Sequence, residues 1–424
     1  MKKKYAVAFA AAFAILFSGC SSRITSVEEL LVAPALTVDQ SAVILAIDSA
    51  VPEKTVLKFP TSGERRSPIQ FVDLDADDIS EAVIFYCVPS EGGYARLAVL
   101  KKEDGIWTMA SSIEGAGTDV ESISVIRLES STGRFLLVEW SSINSREHQL
   151  AAYHFENGEL SLGFEEACSD ILVYDLDSDG YNEFCYLTPG SAYEPFRLKF
   201  VDNVKGTFAL MGECRLNAQM LSSASITAGK LADGQRAVFV DEILSDSEKA
   251  TEIFTATNGR LAAVKLEEGY DIFELSRRPD DSLNCLAAFD ADAVFVPSQA
   301  PPFEGIYAPE RWTYWYTVNS GEIIYDGATL VDKSYGILLK LPDKWLHSST
   351  VKRDAQSPRL FFIRDEKLGI NLLSIKILEI GEDASTYLAE GYELLSRSGS
   401  YRYYIKGVCA PEDFEFVKQH FAAL

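Results

Sequence analysis

Four segments of this chain align with one another without a gap, and no other feature restricts the fold as strongly. They are Phe71 to Phe85 (FVDLDADDISEAVIF), Val125 to Glu139 (VIRLESSTGRFLLVE), Val173 to Leu187 (VYDLDSDGYNEFCYL) and Thr227 to Asp241 (TAGKLADGQRAVFVD). Each has an apolar lead-in, a polar turn and a strongly apolar run. The equivalent positions Asp73, Arg127, Asp175 and Gly229 are 54, 48 and 54 residues apart. A fixed period of this length marks a repeat architecture, in which no unit buries its apolar surface alone. A degraded fifth copy reads LAAFDADAVFV, from Leu286 to Val296.

Between the turns, alternating runs and turn dipeptides such as Asp104-Gly105 and Asn157-Gly158 mark hairpins. Each unit then holds about four short antiparallel strands. Radial stacking of such sheets gives a β-propeller. The fold expected is mainly β: a propeller of about five four-stranded blades, six being the alternative, followed by a small α+β sandwich. Thr55–Pro60 would supply the outer strand that closes the ring. The expected boundaries are a signal peptide over 1–19, a tether with a short helix over 20–53, the propeller over 54–330 and the α+β domain over 331–424. The helix is expected near 39–50, capped by Asp39 or Ser41. In the tail, helices are expected at Ala384–Ser396 and Pro411–Phe421.

The repeats resemble the FG-GAP or VCBS type of integrin-like propellers and bacterial surface proteins, best at Asp73–Phe85 and Asp175–Leu187. The Phe-Gly-Gly-Ala-Pro stretch is absent, so the VCBS-like variant fits better. Gly336 to Trp345 (GILLKLPDKW) resembles the opening of the PsbP-like α/β sandwich. The N-terminus carries Lys2, Lys3 and Lys4, then 12 apolar residues from Ala6 to Phe17, then Ser18-Gly19-Cys20. The apolar stretch is shorter than the roughly 20 residues of a membrane span, and the order of segments is that of an export signal. It resembles the lipobox of bacterial lipoproteins, with Phe17 at the position where leucine is usual. That resemblance implies cleavage before Cys20, lipid on its sulfur, and anchoring on the outer face of the bacterial cytoplasmic membrane.

The third turn reads D-x-D-x-D-G-x-x-E. Asp175, Asp177, Asp179 and Glu183 alternate with other residues, and Gly180 permits a sharp turn. Clustered carboxylates repel one another without a cation. Hard oxygen donors in a flexible loop suit Ca2+, with the Tyr181 carbonyl completing the set. In the resemblance, the ninth position carries the last carboxylate, here Glu183. The first turn offers Asp73, Asp75, Asp77, the Ile79 carbonyl and Glu81, with Asp78 in the glycine position. The second turn (Arg127, Glu129, Ser131) and the fourth (Gly229, Leu231, Asp233) are expected to be metal-free. Asp290 and Asp292 in the fifth read as turn residues. The calcium would be structural.

Removing the three signal lysines takes the formal charge from −24 to −27. That excess disfavours nucleic acid and anionic lipid surfaces as partners. The six later cysteines show no CxxC spacing and sit in apolar runs, which reads as buried thiols. The four histidines show no zinc-hydrolase spacing, and no GxSxG or Walker motif occurs. Trp312, Tyr314, Trp315 and Tyr316 could form a ligand platform, interblade core packing being the other reading. No catalytic residues are assigned. The function expected is a non-catalytic surface lipoprotein whose propeller binds an envelope protein or glycan. The alternative is an extracytoplasmic enzyme on polysaccharide or cell-wall substrates. A third reading is a sensor or maturation factor for an envelope complex.

Overall fold

The computed structural model describes residues 37–424, except 52, 128–132, 143, 144, 146, 192, 193, 205, 218, 245, 246, 258, 259, 288–292 and 301–310. The signal segment and Cys20 therefore lie outside the described residues. Among the described residues, no helix is long and apolar enough to cross a membrane.

The chain begins with helix Val38–Ala50. Its cap is Thr37, not Asp39 or Ser41. Thr37 has the extended backbone that an N-cap requires, and it closes a capping box with Gln40. Asp39 lies inside the first turn and turns outward to Lys102 Nζ (2.6 Å) and Trp107 Nε1 (3.2 Å). It thereby ties the helix to the first sheet.

Among the described residues, six antiparallel sheets follow. The first runs Glu81–Cys87, Ala95–Glu103, Ile106–Glu114, with Val56–Lys58 and Ile69–Val72 both on the free side of Glu81–Cys87. The second runs Asp119–Arg127, Arg134–Ser141, His148–Glu156, Glu159–Cys168. The third runs Asp170–Tyr174, Glu183–Thr188, Arg197–Val204, Thr207–Arg215. The fourth runs Met220–Lys230, Arg236–Leu244, Glu248–Thr257, Arg260–Ala263, with Arg278–Pro279 beside Glu248–Thr257. The fifth runs Leu286–Ala287, Val294–Gln299, Thr313–Asn319, Glu322–Asp332, Ile337–Leu341, Phe421–Ala423. The sixth orders Ser349–Arg353, Leu360–Asp365, Ile370–Glu379, Tyr401–Gly407, Glu393–Arg397.

Consecutive sheets stack face to face. In Glu81–Cys87 every residue is buried, because successive side chains serve opposite faces. Val83 and Phe85 meet Leu136, Val138 and Trp140 of the second sheet. Ala82, Ile84 and Tyr86 meet Val43 and Ile47 of the helix. The same pattern joins the second sheet to the third, the third to the fourth and the fourth to the fifth. Burial on both faces is why these strands read as continuous apolar runs instead of an alternation.

Three expectations need correction. Val56–Lys58 pairs with Glu81–Cys87 inside the first sheet (Val56↔Cys87) and does not reach the last. The face of the first sheet turned away from the second is covered by the helix, where a ring would place the last blade. The boundary at 330/331 falls within the continuous strand Glu322–Asp332, whose Leu330 packs with Ile363 and Ile375 of the sixth sheet. The fifth sheet thus belongs both to the repeat array and to the C-terminal sandwich.

The tail helices are also shorter than expected. Ser385–Ala389 is helical, but Gly391 takes a left-handed φ of 88° and the chain turns into strand Glu393–Arg397. Leu394 and Ser396 pair there with Tyr404 and Tyr403, a tertiary contact that overrides local helix preference. The last helix is Pro411–Gln419, and Phe421–Ala423 pairs with Ile337–Leu339.

The six cysteines from Cys87 onward are unpaired thiols, four of them buried. The second sheet packs tightly: Trp140 meets Phe85 edge-on at 5.7 Å, and its Nε1 donates to Tyr153 Oη at 3.0 Å. Phe85→Ala should therefore cost about 3–5 kcal/mol through the cavity it leaves. Leu45→Ala, on the exposed side of the helix at 67% exposure, should stay within about 0.5 kcal/mol. Urea unfolding of the two variants tests the contrast, and equal effects would contradict the stacking described.

Candidate metal centre

The first and third turns are the same structure built twice. Val72 pairs with Glu81, and Tyr174 pairs with Glu183, as the last rungs before each loop. Two residues per loop are left-handed, at equivalent positions: Ala76 (φ 60°) and Asp78 (φ 65°), Ser178 (φ 72°) and Gly180 (φ 93°). The glycine requirement at Gly180 is thus real, and Asp78 takes the same conformation with a side chain, at a backbone cost. The left-handed Ala76 and Ser178 carried no sequence signal.

Each loop is pinned from inside. Leu74 and Leu176 are buried plugs. Their N–H groups donate to Glu81 Oε2 (2.8 Å) and Glu183 Oε2 (2.6 Å). The two glutamates are 1% and 2% exposed. In both, the other carboxylate oxygen is buried without a hydrogen-bond partner. A buried carboxylate oxygen with no donor is costly unless a cation meets it.

In the third loop, ligand oxygens of Asp175, Asp177, Asp179 and Glu183 lie within 4.8 Å of one another. Several also hold the loop's own backbone. Asp175 accepts from Ser178 N (2.8 Å) and Gly180 N (3.2 Å), and Asp179 accepts from Tyr181 N (2.8 Å). Arg236, from the fourth repeat, sits at one edge: its Nη1 is 2.5 Å from Asp175 Oδ2 and also meets the Asp175 carbonyl. Burial pushes the Glu183 carboxyl up to about 8, reinforced by Asp177, Asp202 and Asp179 and opposed by the Leu176 N–H. An all-oxygen set of this kind suits Ca2+.

The first loop gathers Asp73, Asp75 and Glu81 within the same 4.8 Å, without Asp77. Asp77 instead accepts from Ile79 N at 2.8 Å. Lys101 enters here, a residue whose place in the sequence does not connect it to the loop. Its Nζ is 2.7 Å from Asp75, 3.8 Å from Asp77 and 3.8 Å from Glu81.

The remaining sequence candidates fall elsewhere. Arg127 of the second turn lies over the Tyr181 ring at 5.9 Å, and Glu129 and Ser131 are outside the described residues. In the fourth turn a Cβ on Gly229 would meet Val294 at 2.1 Å, Leu231 is buried, and Asp233 accepts from Gln235 N and Ser320 N. Asp290 and Asp292 are outside the described residues. The four aromatic residues proposed as a platform are divided between core and surface. Trp312 and Tyr314 pack toward the sixth sheet, Trp315 lies in a separate cluster with Phe295 and Leu338, and Tyr316 packs toward the fourth sheet. Tyr314 and Tyr316 share one face, where both meet the half-exposed Tyr325 ring at 5.5 and 5.7 Å, while Trp312 and Trp315 are buried.

A polar cleft of about 500 Å³ lies along the first strands of the second and third sheets, with the loop Ser62–Arg65 on one side. Glu139 and Asp170 line it. Glu139 accepts from Ser122 Oγ (2.8 Å) and pairs with His148 Nδ1 (2.6 Å). That hydrogen bond raises the His148 pKa above its ordinary value. Burial pushes the Asp170 carboxyl up to about 6. No sequence spacing joins these three residues, which come from separate strands.

No family model matches the chain, and no curated protein matches it. Among solved structures, an exotype rhamnogalacturonan lyase is similar at 12% identity and a TM-score of 0.33, over 69% of this chain and 62% of that one. A Lactobacillus plantarum protein is similar at 10% identity and TM-score 0.33, over 73% and 84%. A Bacillus licheniformis rhamnogalacturonan lyase is similar at 11% identity and TM-score 0.33, over 66% and 59%. This chain thus spans about three fifths of the length of either lyase.

The raised Glu183 pKa has a signed consequence. Between about 4.5, its ordinary value, and about 8, the folded chain holds this proton more tightly than the unfolded chain does. Without metal, that contribution to stability is therefore lost as pH rises through this window. Excess Ca2+ should flatten the slope, and calcium binding at pH 7 should release protons. Melting temperatures from pH 4.5 to 8, with chelator or with calcium, check this. The slope should become shallower in Glu183→Gln, the part due to Asp170 and His148 remaining.

Proposed function

We propose that the chain is an extracytoplasmic lipoprotein, anchored through Cys20, whose blade-like repeats form a calcium-stabilised, non-catalytic module for binding an envelope protein or glycan. The observation that carries the calcium reading is the third loop: four clustered carboxylate residues around a Glu183 oxygen that is buried and without a hydrogen-bond donor. Calcium there would hold the loop between strands Asp170–Tyr174 and Glu183–Thr188 and neutralise the charge. Arg236 ties the same loop to the fourth repeat. An ion in it would thus brace the joint between neighbouring repeats as well as one hairpin.

The stacking of five consecutive meanders supports a reading of the repeats as FG-GAP/VCBS-like propeller blades. We read them as a row closed off at one end by helix Val38–Ala50 and at the other by the sixth sheet. The lipobox-like Phe17-Ser-Gly-Cys20 supports export and lipid anchoring.

The cleft holding Glu139 and Asp170 is the observation that would favour the enzyme reading, since paired carboxylates serve glycoside hydrolysis. Its lining contains no aromatic side chain on which a sugar ring could stack. Both carboxylates are engaged by hydrogen bonds inside the protein. The cleft therefore fits a ligand seat better than a catalytic pair.

Calcium added to the metal-stripped protein should raise its melting temperature. At a hundredfold excess over the dissociation constant, the gain corresponds to about 2.7 kcal/mol. Asp177→Ala and Glu183→Gln should abolish it. Cys20→Ala should release the protein from the membrane fraction. Hydrolysis of a polysaccharide that disappears in Glu139→Gln and Asp170→Asn would replace the binding reading with the enzymatic one.

A further inference from the structure

The two equivalent loops differ at the residue facing the buried glutamate from the next strand. In the first repeat Ala82 pairs with Leu100, which sets Glu81 beside Lys101. In the third, Phe184 pairs with Val201, which sets Glu183 beside Asp202. The same place in the sheet thus holds a cation in one repeat and a further carboxylate in the other.

We propose that the Lys101 ammonium takes the place of the metal ion in the first loop. On this view the chain carries one calcium loop and one loop closed by its own lysine. This rests on the calcium reading of the third loop only for the total number of ions. Three distances carry it. Lys101 Nζ lies 2.7 Å from Asp75, 3.8 Å from Asp77 and 3.8 Å from Glu81, so it sits among the carboxylates and not at their rim. A calcium ion takes its oxygens at about 2.3–2.6 Å, so the ion and the ammonium cannot share this space. Glu81 Oε1, buried and without a hydrogen-bond donor, faces a positive charge that the chain itself supplies, and Asp75 meets the same charge through Oδ2. Arg236 does not do the same for the third loop. Of the four clustered carboxylates it forms an ion pair with Asp175, whose carbonyl it also meets, while it lies over the Tyr174 ring at 5.6 Å beside the loop and not among its carboxylates.

The first joint of the array is then fixed at any calcium concentration, while the third responds to it. The loops also differ in their neighbours: Arg134 N donates to the Leu74 carbonyl at 2.8 Å, so the lysine-closed loop is docked on the second sheet.

The test is calorimetric titration of CaCl2 into the full-length, metal-stripped chain in detergent, for the wild type and for Asp177→Asn, Asp75→Asn, Lys101→Met and Lys101→Met/Asp75→Asn. The wild type should bind one ion, lost in Asp177→Asn and kept in Asp75→Asn. Lys101→Met should bind one ion more than the wild type, and adding Asp75→Asn should remove that extra ion. Lys101→Met should also melt lower than wild type without metal and recover with calcium. If the wild type binds none but Lys101→Met gains one through Asp75, the third-loop reading fails and this proposal stands. A wild type that loses an ion in Asp75→Asn overturns it, because calcium then displaces the lysine. A Lys101→Met chain that binds no more than the wild type also overturns it. Should Lys101→Met fail to fold, the ion count of Asp75→Asn against the wild type still separates the two outcomes.

Discussion

A four-stranded sheet that is apolar on both faces cannot leave either face in water, and the whole molecule follows from that. Glu81–Cys87 buries all its residues, so the first sheet needs a partner on each side. It finds the second sheet on one side and the helix on the other. Each later sheet repeats the demand, until the fifth hands its outer surface to the sixth. Burial of each large side chain is worth roughly 1.5–3 kcal/mol. The sum over these interfaces is what makes short meanders stable as a group when none would be stable alone.

Such stacking leaves little room for charge, and several of the buried ionisable groups are met in a specific way, whereas burial raises the pKa of Glu242, whose carboxylate oxygens have no hydrogen-bond partner. Asp241 and Arg278 form an ion pair at 2.6 Å with both side chains essentially inaccessible, and Thr251 and the Cys285 N–H complete the shell of Asp241. Glu139 is met by Ser122 and His148. Glu81 is met by a backbone N–H and, at longer range, by Lys101. Glu183 has the backbone N–H but Asp202 where the lysine would be. It is the exception among these four: its second carboxylate oxygen is buried without a hydrogen-bond partner and lies in a cluster of carboxylates that could hold a metal ion.

The loops join local chemistry to global order. Their buried leucines lie in the clusters between neighbouring sheets, Leu74 between the first and second and Leu176 between the third and fourth. Their outer faces reach the next repeat through Arg134 N and Arg236. Whatever cation sits in a loop therefore acts on a joint between modules.

The sequence by itself determined the repeat and its period, the strands that follow each turn, the left-handed need at Gly180 and Asp78, and the gathering of Asp175, Asp177, Asp179 and Glu183. These are written in contiguous residues, where spacing fixes geometry. Only the tertiary structure decided the rest. Lys101 and Asp202 reach their glutamates from the neighbouring strand, and that cross-strand register cannot be counted along the chain. What covered the outer face of the first sheet was likewise settled in three dimensions, where helix Val38–Ala50 lies on it. Trp312, Tyr314, Trp315 and Tyr316, neighbours in sequence, read either as a ligand platform or as core packing. The fold buries Trp312 and Trp315 and sets Tyr314 and Tyr316 together against Tyr325.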